Sequence, residues 1–538
     1  MGYAVEVKLY GPAAMGGGVA LLLGVTGALV RRPWHDELYT LELARRPVAA
    51  ILEALSLDSG PPGHYLVARL FELAGLGGIT PLRLLSAVAV AVAVALLAGF
   101  ASHRWGPAAG WIAAAFLAVH PVTLLAATEA RAYGLLFLAS AVAALSLAGD
   151  GPGRRRAVLL GAVLALACWV HALGLVLCLA VAAGTALLGR PGRTRVLGAV
   201  AAGLALQLPW LPVMLHQPPE AVAWMARIAR EDGIRLLLAP LAAASPSADL
   251  SPWLGLEPAV PRLWWLAPLA GGLALAAGLA ARDRRPLAVV WITAGGALLG
   301  GTFLLRPVYC PGRGDVLFTG AAVLLLAAAL ASRPRAGVVA AVLLAGLGAW
   351  GAGLTLTGWR TKPPGPEEGI AVALTRLAAP GDVVVTTAWW GLDVRWAMGQ
   401  AGRGLEWLTF PLEAGKHPGW YDDGEAGPGT AAALLERLRR EASGGRRVWI
   451  VRSPPLASDR RLDVVVGALG LVPRDFGPTG LWQLWGPAPV RRGSPSRATP
   501  RGGRSWHGDD GRGGGRGATG TGPLRPGPSR APLRAATG

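Results

Sequence analysis

Charge is scarce in this chain: only 15% of its 538 residues are Asp, Glu, Lys or Arg, and Lys occurs only at Lys8, Lys362 and Lys416. A soluble protein keeps about a quarter of its residues charged, so a wholly water-facing chain is excluded. Cysteine is scarcer still. Cys168 and Cys178 lie inside apolar runs and Cys310 in a polar connection, which excludes a disulfide framework and a cysteine-based metal spacing. Acidic residues number 32 against 51 Lys plus Arg, a net charge of +19. The surplus is not a nucleic-acid face, because the Arg residues sit in short clusters between apolar runs and in the tail after residue 488. In such a chain charge reports topology first.

What is abundant is apolar: 53% of residues are hydrophobic and the mean hydropathy is +0.45. Stretches of about 18 to 25 apolar residues recur from Gly11 to Thr357, each long enough to cross the hydrocarbon core as a helix. The first follows Lys8 as a signal peptide would. It ends in Arg31-Arg32-Pro33 and not at a small-residue cleavage site, so it reads as a span. Hydropathy gives about eleven spans: 11–30, 82–100, 107–126, 132–149, 157–170, 172–188, 196–215, 262–280, 287–305, 316–331 and 336–356.

The connections alternate in character. Arg104, Arg154 to Arg156, Arg190 with Arg193 and Arg195, Arg282 with Arg284 and Arg285, and Arg333 with Arg335 mark short basic loops that positive-inside bias assigns to the cytoplasm. The loop 31–81, the turns at Glu129 and His171, the loop 216–261, the connection 306–315 and everything after 357 then face outward. The segment 157–188 is short for two spans; one long helix there would invert everything downstream.

The expected organisation is an α-helical polytopic membrane domain over 1–360, a small extracytoplasmic α/β domain over 361–488 and a disordered basic tail over 489–538. Within loop 31–81, Leu38, Leu41, Leu43, Val48, Ile51, Leu52 and Leu55, then Tyr65, Leu66, Leu70, Phe71 and Leu73, predict two amphipathic helices in the membrane interface. Strands are expected at 382–387, 447–453 and 480–486, with a helix at 430–442.

Trp34-His35-Asp36-Glu37 is the first candidate for chemistry. Adjacent carboxylates just outside a membrane helix place a proton acceptor where a hydroxyl could be deprotonated. The same pair suits the first turn of an interfacial helix, whose free N–H groups welcome anions. Asp58 and His64 flank Pro61-Pro62; Arg83 and Ser86 open the second span; Glu129, Arg131 and Tyr133 form one outward turn and His171 the next. Ionisable groups at helix ends invite a shared site, although a Glu-x-Arg pair can also snorkel and a lone His can simply end a helix.

In their order, these motifs resemble the GT-C glycosyltransferases of the family 39 type, the group containing protein O-mannosyltransferases and the aminoarabinose transferase of lipid A. The resemblance runs over roughly 10 to 330 and rests on Asp36-Glu37, Asp58 with Pro61-Pro62, Arg83 with Ser86, Glu129-Arg131-Tyr133, His171 and Arg313. Two departures stand out: Gly60 precedes Pro61 where the family often has His, and Gly314-Asp315 follows Arg313 where Tyr is usual.

The resemblance implies an inverting transferase that takes a sugar from polyprenyl phosphate to an extracytoplasmic acceptor: protein, lipid or polysaccharide. Asp36 and Glu37 are then the catalytic pair, with Asp36 the general base. Arg131 and Arg313 bind the donor phosphate, and Asp58, His64, Glu129, Tyr133 and His171 contact substrate. Some related folds use a divalent metal, but His35-Asp36-Glu37 alone is poor evidence for ligation, so no metal ligands are assigned. Membrane lipid and the donor are the expected partners, and nucleic acid is not. The alternative, a transporter or flippase of lipid-linked sugars, predicts inverted repeats and ionisable groups near the bilayer midplane. A second rival puts the activity in 363–487, which shows no phosphate loop, nucleophile elbow or metal spacing.

Overall fold

The computed structural model describes residues 2–148, 153–189, 192–218, 222, 266–304, 307–310, 312–362, 365–412, 417, 428–452, 457–476 and 483–488. Arg190, Arg306, most of the loop 216–261 and the tail 489–538 lie outside the described residues. Residues 1–488 form one compact unit.

The membrane part is built from helices α1 (Gly2–Val30), α5 (Ile79–Trp105), α6 (Pro107–Val119), α7 (Pro121–Thr128), α8 (Tyr133–Ala148), α9 (Arg154–Val170), α10 (Leu173–Leu188), α11 (Arg193–Ala205) and the short α12 (Leu211–His216). After the loop come α13 (Leu266–Ala280), α14 (Arg285–Leu304), a 3₁₀ turn over Gly314–Leu317, α15 (Thr319–Ala331) and α16 (Pro334–Thr361). Four described stretches are long and apolar enough to cross a membrane, beginning at Gly11, Ile79, Arg285 and Arg335, or five if α6 and α7 are one bent span. The chain is a multi-pass membrane protein.

Two expected spans, 107–126 and 196–215, are broken helices. The one at 107–126 bends by 55° between α6 and α7, where Pro121 follows His120 and cannot donate to the helix before it. The stretch 157–188 is two helices and not one, because His171 adopts extended backbone between α9 and α10. Small residues let the helices approach. A Cβ on Gly134 of α8 would lie 2.8 Å from the Ser86 carbonyl oxygen of α5, and one on Gly63 would lie 2.4 Å from that of Trp169.

The loop 31–81 carries three helices and not the two expected: α2 (His35–Ala44), α3 (Val48–Ser56) and α4 (Gly63–Leu73). Their apolar residues do more than coat an interface. Leu38, Leu41, Leu43, Ile51, Leu55 and Tyr65 are buried together with Trp210 and Leu392 in a core of their own.

The C-terminal part is a five-stranded sheet in the order β2-β1-β3-β5-β4, with β1 Val383–Thr387, β2 Glu406–Phe410, β3 Val448–Arg452, β4 Val472–Phe476 and β5 Gln483–Gly486. β1 pairs in parallel with β2 and β3, and β5 runs antiparallel to β3 and β4. Helices α17 (Pro366–Leu377) and α18 (Ala388–Met398) cover one face and α19 (Pro428–Ser443) and α20 (Ala457–Ala468) the other. β1 is buried along its whole length, with Val383 and Val385 facing α19 and α20, and Val384 facing α17 and α18. That is why it reads as a continuous run of valines. Strands β2 and β4 and helices α17, α18 and α20 were not anticipated.

Candidate functional site

Asp36 and Glu37, neighbours in the first turn of α2, have opposite surroundings because successive helix residues point about 100° apart. Glu37 is fully buried. Arg83 Nε and Nη2 donate to its two carboxylate oxygens at 2.8 and 2.5 Å, and the Ala130 amide donates at 2.7 Å. The Trp34 amide donates to it as well, at 3.3 Å, so Glu37 is the residue that caps α2. Arg83 spends its remaining N–H groups on the carbonyls of Ala28, Arg31 and Arg32. This closed network ties the end of α1, the start of α2 and the 129–131 turn to α5.

Asp36 lies outside that network. Its carboxylate is 34% exposed, 3.9 Å from Arg131 Nη2 and 3.8 Å from Arg313 Nη1. Both distances exceed a hydrogen bond. Arg131 is aimed by the Tyr65 and Thr40 hydroxyl oxygens, each accepting from Nη1 at 3.2 Å. The Arg313 guanidinium lies over two aromatic rings, 4.1 Å from the Trp34 ring centroid and 5.6 Å from that of Tyr133. Its own loop is braced by Asp315, which accepts from the Tyr309 hydroxyl at 2.8 Å and the Gly312 amide at 2.6 Å. The Gly314-Asp315 departure from the family pattern therefore supplies the brace for Arg313.

Glu129 is buried, paired with Arg31 at 3.1 Å and 3.8 Å from Arg313 Nη2. Among the described residues its Oε2 and Arg313 Nε have no hydrogen-bond partner, although both are buried. Ser86 fixes this turn by donating to the Glu129 carbonyl at 2.7 Å, a contact that the close approach at Gly134 permits. His64 Nε2 donates to the Ala130 carbonyl at 3.0 Å. Burial, followed by the charge of Arg131, pushes its pKa down to about 4. His171 accepts the Leu173 amide through Nδ1 at 3.1 Å and tilts against Tyr133, and burial and then Arg131 push it down to about 3. Both imidazoles are neutral at pH 7.

The structure thus gathers Asp36, Glu37, His64, Glu129, Arg131, Tyr133, His171 and Arg313 at one end of the helices. Asp58 stands to one side, 3.7 Å from His417 Nε2, which is also hydrogen-bonded to the Tyr39 hydroxyl at 2.7 Å. Burial opposes charge on Asp58, but the neighbouring His417, the Ser59 amide that donates to it at 2.7 Å and the charge of Arg131 outweigh it and its pKa is lowered. The C-terminal domain meets the face of α2 that carries residues 35, 39 and 42. His35 Nδ1 donates to Asp393 at 2.9 Å, and Arg395 lies 3.8 Å from Glu42.

Sequence reasoning missed Arg31, Thr40, Tyr65 and His417. Thr40 left a trace, being one turn after Asp36 on the same face, and Tyr65 reads only as part of an apolar helix face beside His64. Among the described residues no group of three or more His, Cys, Asp or Glu is placed to hold a metal ion.

A family model for dolichyl-phosphate-mannose-protein mannosyltransferase matches residues 58–215. No curated protein sequence matches the chain. Among solved structures, ArnT from Cupriavidus metallidurans bound to undecaprenyl phosphate is similar at 15% identity with a TM-score of 0.54, over 88% of this chain and 97% of that one. Its apo state gives 14% identity, a TM-score of 0.53 and the same coverage. The fold is therefore that of the GT-C membrane glycosyltransferases.

Proposed function

We propose that this protein moves a sugar from polyprenyl phosphate to the hydroxyl of an extracytoplasmic acceptor, with inversion, at the site around Asp36. The observation that carries this reading is one accessible carboxylate standing between two guanidiniums that it does not saturate. Arg83 neutralises Glu37 and Arg31 neutralises Glu129, which leaves Arg131 and Arg313 against Asp36 and a surplus of one positive charge.

A sugar phosphodiester carries one negative charge and balances that surplus. Asp36 takes the acceptor's hydroxyl proton, the acceptor oxygen bonds to the anomeric carbon, and the carbon–oxygen bond to phosphate breaks. The released phosphate monoester bears a second negative charge as Asp36 becomes neutral, so the site stays balanced throughout. Arg131 and Arg313 hold the phosphate oxygens as their charge grows, and no acid is needed at the leaving group. Glu37 is a positioning residue acting through Arg83. Tyr133, His171 and His64 wall the site in neutral form, and Asp58 with His417 holds the loop beside Arg131. ArnT, of the same fold, carries undecaprenyl phosphate in its structure, which supports a polyprenyl-phosphate donor here.

The direct test incubates the purified chain in detergent with sugar-labelled polyprenyl phosphates and an envelope extract. Transfer of label with release of polyprenyl phosphate is expected. Failure with hexose, pentose and amino-sugar donors alike would overturn the reading.

A further inference from the structure

The seam between α2 and the C-terminal sheet holds a cleft of about 270 Å³ that the transfer step does not use. Glu42 and Arg46 line it from the end of α2, Thr386 and Thr409 from the ends of β1 and β2, and Arg395 and Trp407 from the domain. Two independent features mark it as a binding site.

The first is topological. β1 and β2 pair in parallel from Val383 opposite Glu406 to Thr387 opposite Phe410, so both deliver their carboxyl ends to the cleft. Open α/β sheets carry their ligands outside the carboxyl ends of their strands, and the cleft lies at that end, on the β2 side of β1.

The second is electrostatic. Glu42 lies 3.8 Å from Arg395, beyond a hydrogen bond, and it is shared with Arg46, also at 3.8 Å. Arg437, also in the lining, is met by Glu406 at 3.0 Å. Arg446 and Glu441 extend that network by one charge of each sign. Arg395 is thus held by a carboxylate beyond hydrogen-bond distance and by one face of the Trp407 ring, 6.0 Å from its guanidinium carbon, beside a cleft with threonine hydroxyls and the other face of that indole. Trp407 is fixed by its Nε1–H bond to the Gly402 carbonyl at 3.1 Å. Guanidinium for an anionic oxygen, hydroxyls for hydroxyls and an aromatic ring for a pyranose is the chemistry of an acidic sugar.

We propose that this cleft binds the anionic part of the acceptor, a saccharide bearing a carboxylate or phosphate; the acceptor role rests on the transferase reading above. Glu42 follows Asp36 by six residues, ~9 Å of helix rise, within the span of an oligosaccharide. A bound acid bridges α2 and the C-terminal domain, and so ties acceptor occupancy to the helix that carries the base.

The test titrates the full-length protein and its Arg395→Gln variant by calorimetry with glucose 6-phosphate, glucuronic acid, glucose and inorganic phosphate. The Arg395 side chain is 41% exposed, so the variant should fold, and its melting temperature is recorded. Saturable binding of both acidic sugars is expected, weakened ~10-fold or more in Arg395→Gln, as loss of a charge-assisted hydrogen bond requires. Glucose and inorganic phosphate should bind more weakly than either acid. In turnover, the variant should raise the acceptor KM and leave the donor KM alone. No saturable binding by the wild type, equal affinity in the variant, or inorganic phosphate binding as well as glucose 6-phosphate would overturn the site. If no donor is turned over at all, the transferase reading falls, and the titration still decides whether the cleft takes an acidic sugar.

Discussion

Asp36 and Glu37 are adjacent carboxylates with opposite roles, and exchanging each for its amide separates those roles. Asp36→Asn keeps shape and removes proton acceptance, which costs general-base catalysis ~10²–10⁴ in rate, about 3–5 kcal/mol of barrier. Its stability effect should be small. The carboxylate is 34% exposed and its ion pairs are 3.8 and 3.9 Å long, so the loss should fall within the ~0–1 kcal/mol of a surface pair. Glu37→Gln should invert that pattern. It leaves the buried Arg83 without its countercharge, a break worth about 3–5 kcal/mol. The lower end is expected, because the carbonyls of Ala28, Arg31 and Arg32 still accept from Arg83. Sugar transfer and thermal unfolding are measured on the same purified samples. A folded Asp36→Asn variant that keeps more than about half the wild-type rate is incompatible with general-base loss. A fully stable but inactive Glu37→Gln would move the chemistry to Glu37.

Three further outcomes are expected. Arg131→Lys keeps the charge but loses the planar fork, so it should raise the donor KM more than the acceptor KM in steady-state assays, and equal effects on both would count against a phosphate clamp. His64 is neutral in the folded protein, its pKa pushed down to about 4 from the ordinary histidine value of 6.5. The unfolded chain therefore binds the extra proton as pH falls from 6.5, and stability should decline down to pH 4 and then level off. His64→Gln should flatten that decline in melting curves taken across the range, and an unchanged slope would refute it. Cysteine placed at Arg155 should resist an impermeant thiol reagent in intact cells while cysteine at Glu53 reacts, and labelling at 155 would reverse the assigned orientation.

Much of the membrane part was legible because bilayer physics writes itself into composition. A helix must be long and apolar to cross, and that requirement alone locates α1, α5, α14 and α16 in the sequence. It could not show that α6 and α7 bend at His120-Pro121, since both sides of that break are equally apolar, whereas the turn at His171 between the spans 157–170 and 172–188 was legible and stands between α9 and α10. The C-terminal strands β1, β3 and β5 were legible from valine and tryptophan runs. β2 escaped because Glu406-Trp407-Leu408-Thr409-Phe410 is only partly buried and mixes polar with apolar residues.

For the site, the sequence by itself determined which residue types stand at helix ends, because an ionisable group beside lipid is too costly to be casual. Charge at helix ends named Asp36, Glu129, Arg131 and His171, and the family resemblance added Glu37 and Arg313 and made Asp36 the expected base. Tertiary structure alone shows which of these charges are already paired. Glu37 is consumed by Arg83, which is 46 positions away, and Glu129 by Arg31, which is 98 positions away, and only after those charges cancel does Asp36 stand with two unsaturated guanidiniums. Spacing along the chain carries helical phase and length. Which charge cancels which is a matter of distance in space, and only the folded chain sets that distance.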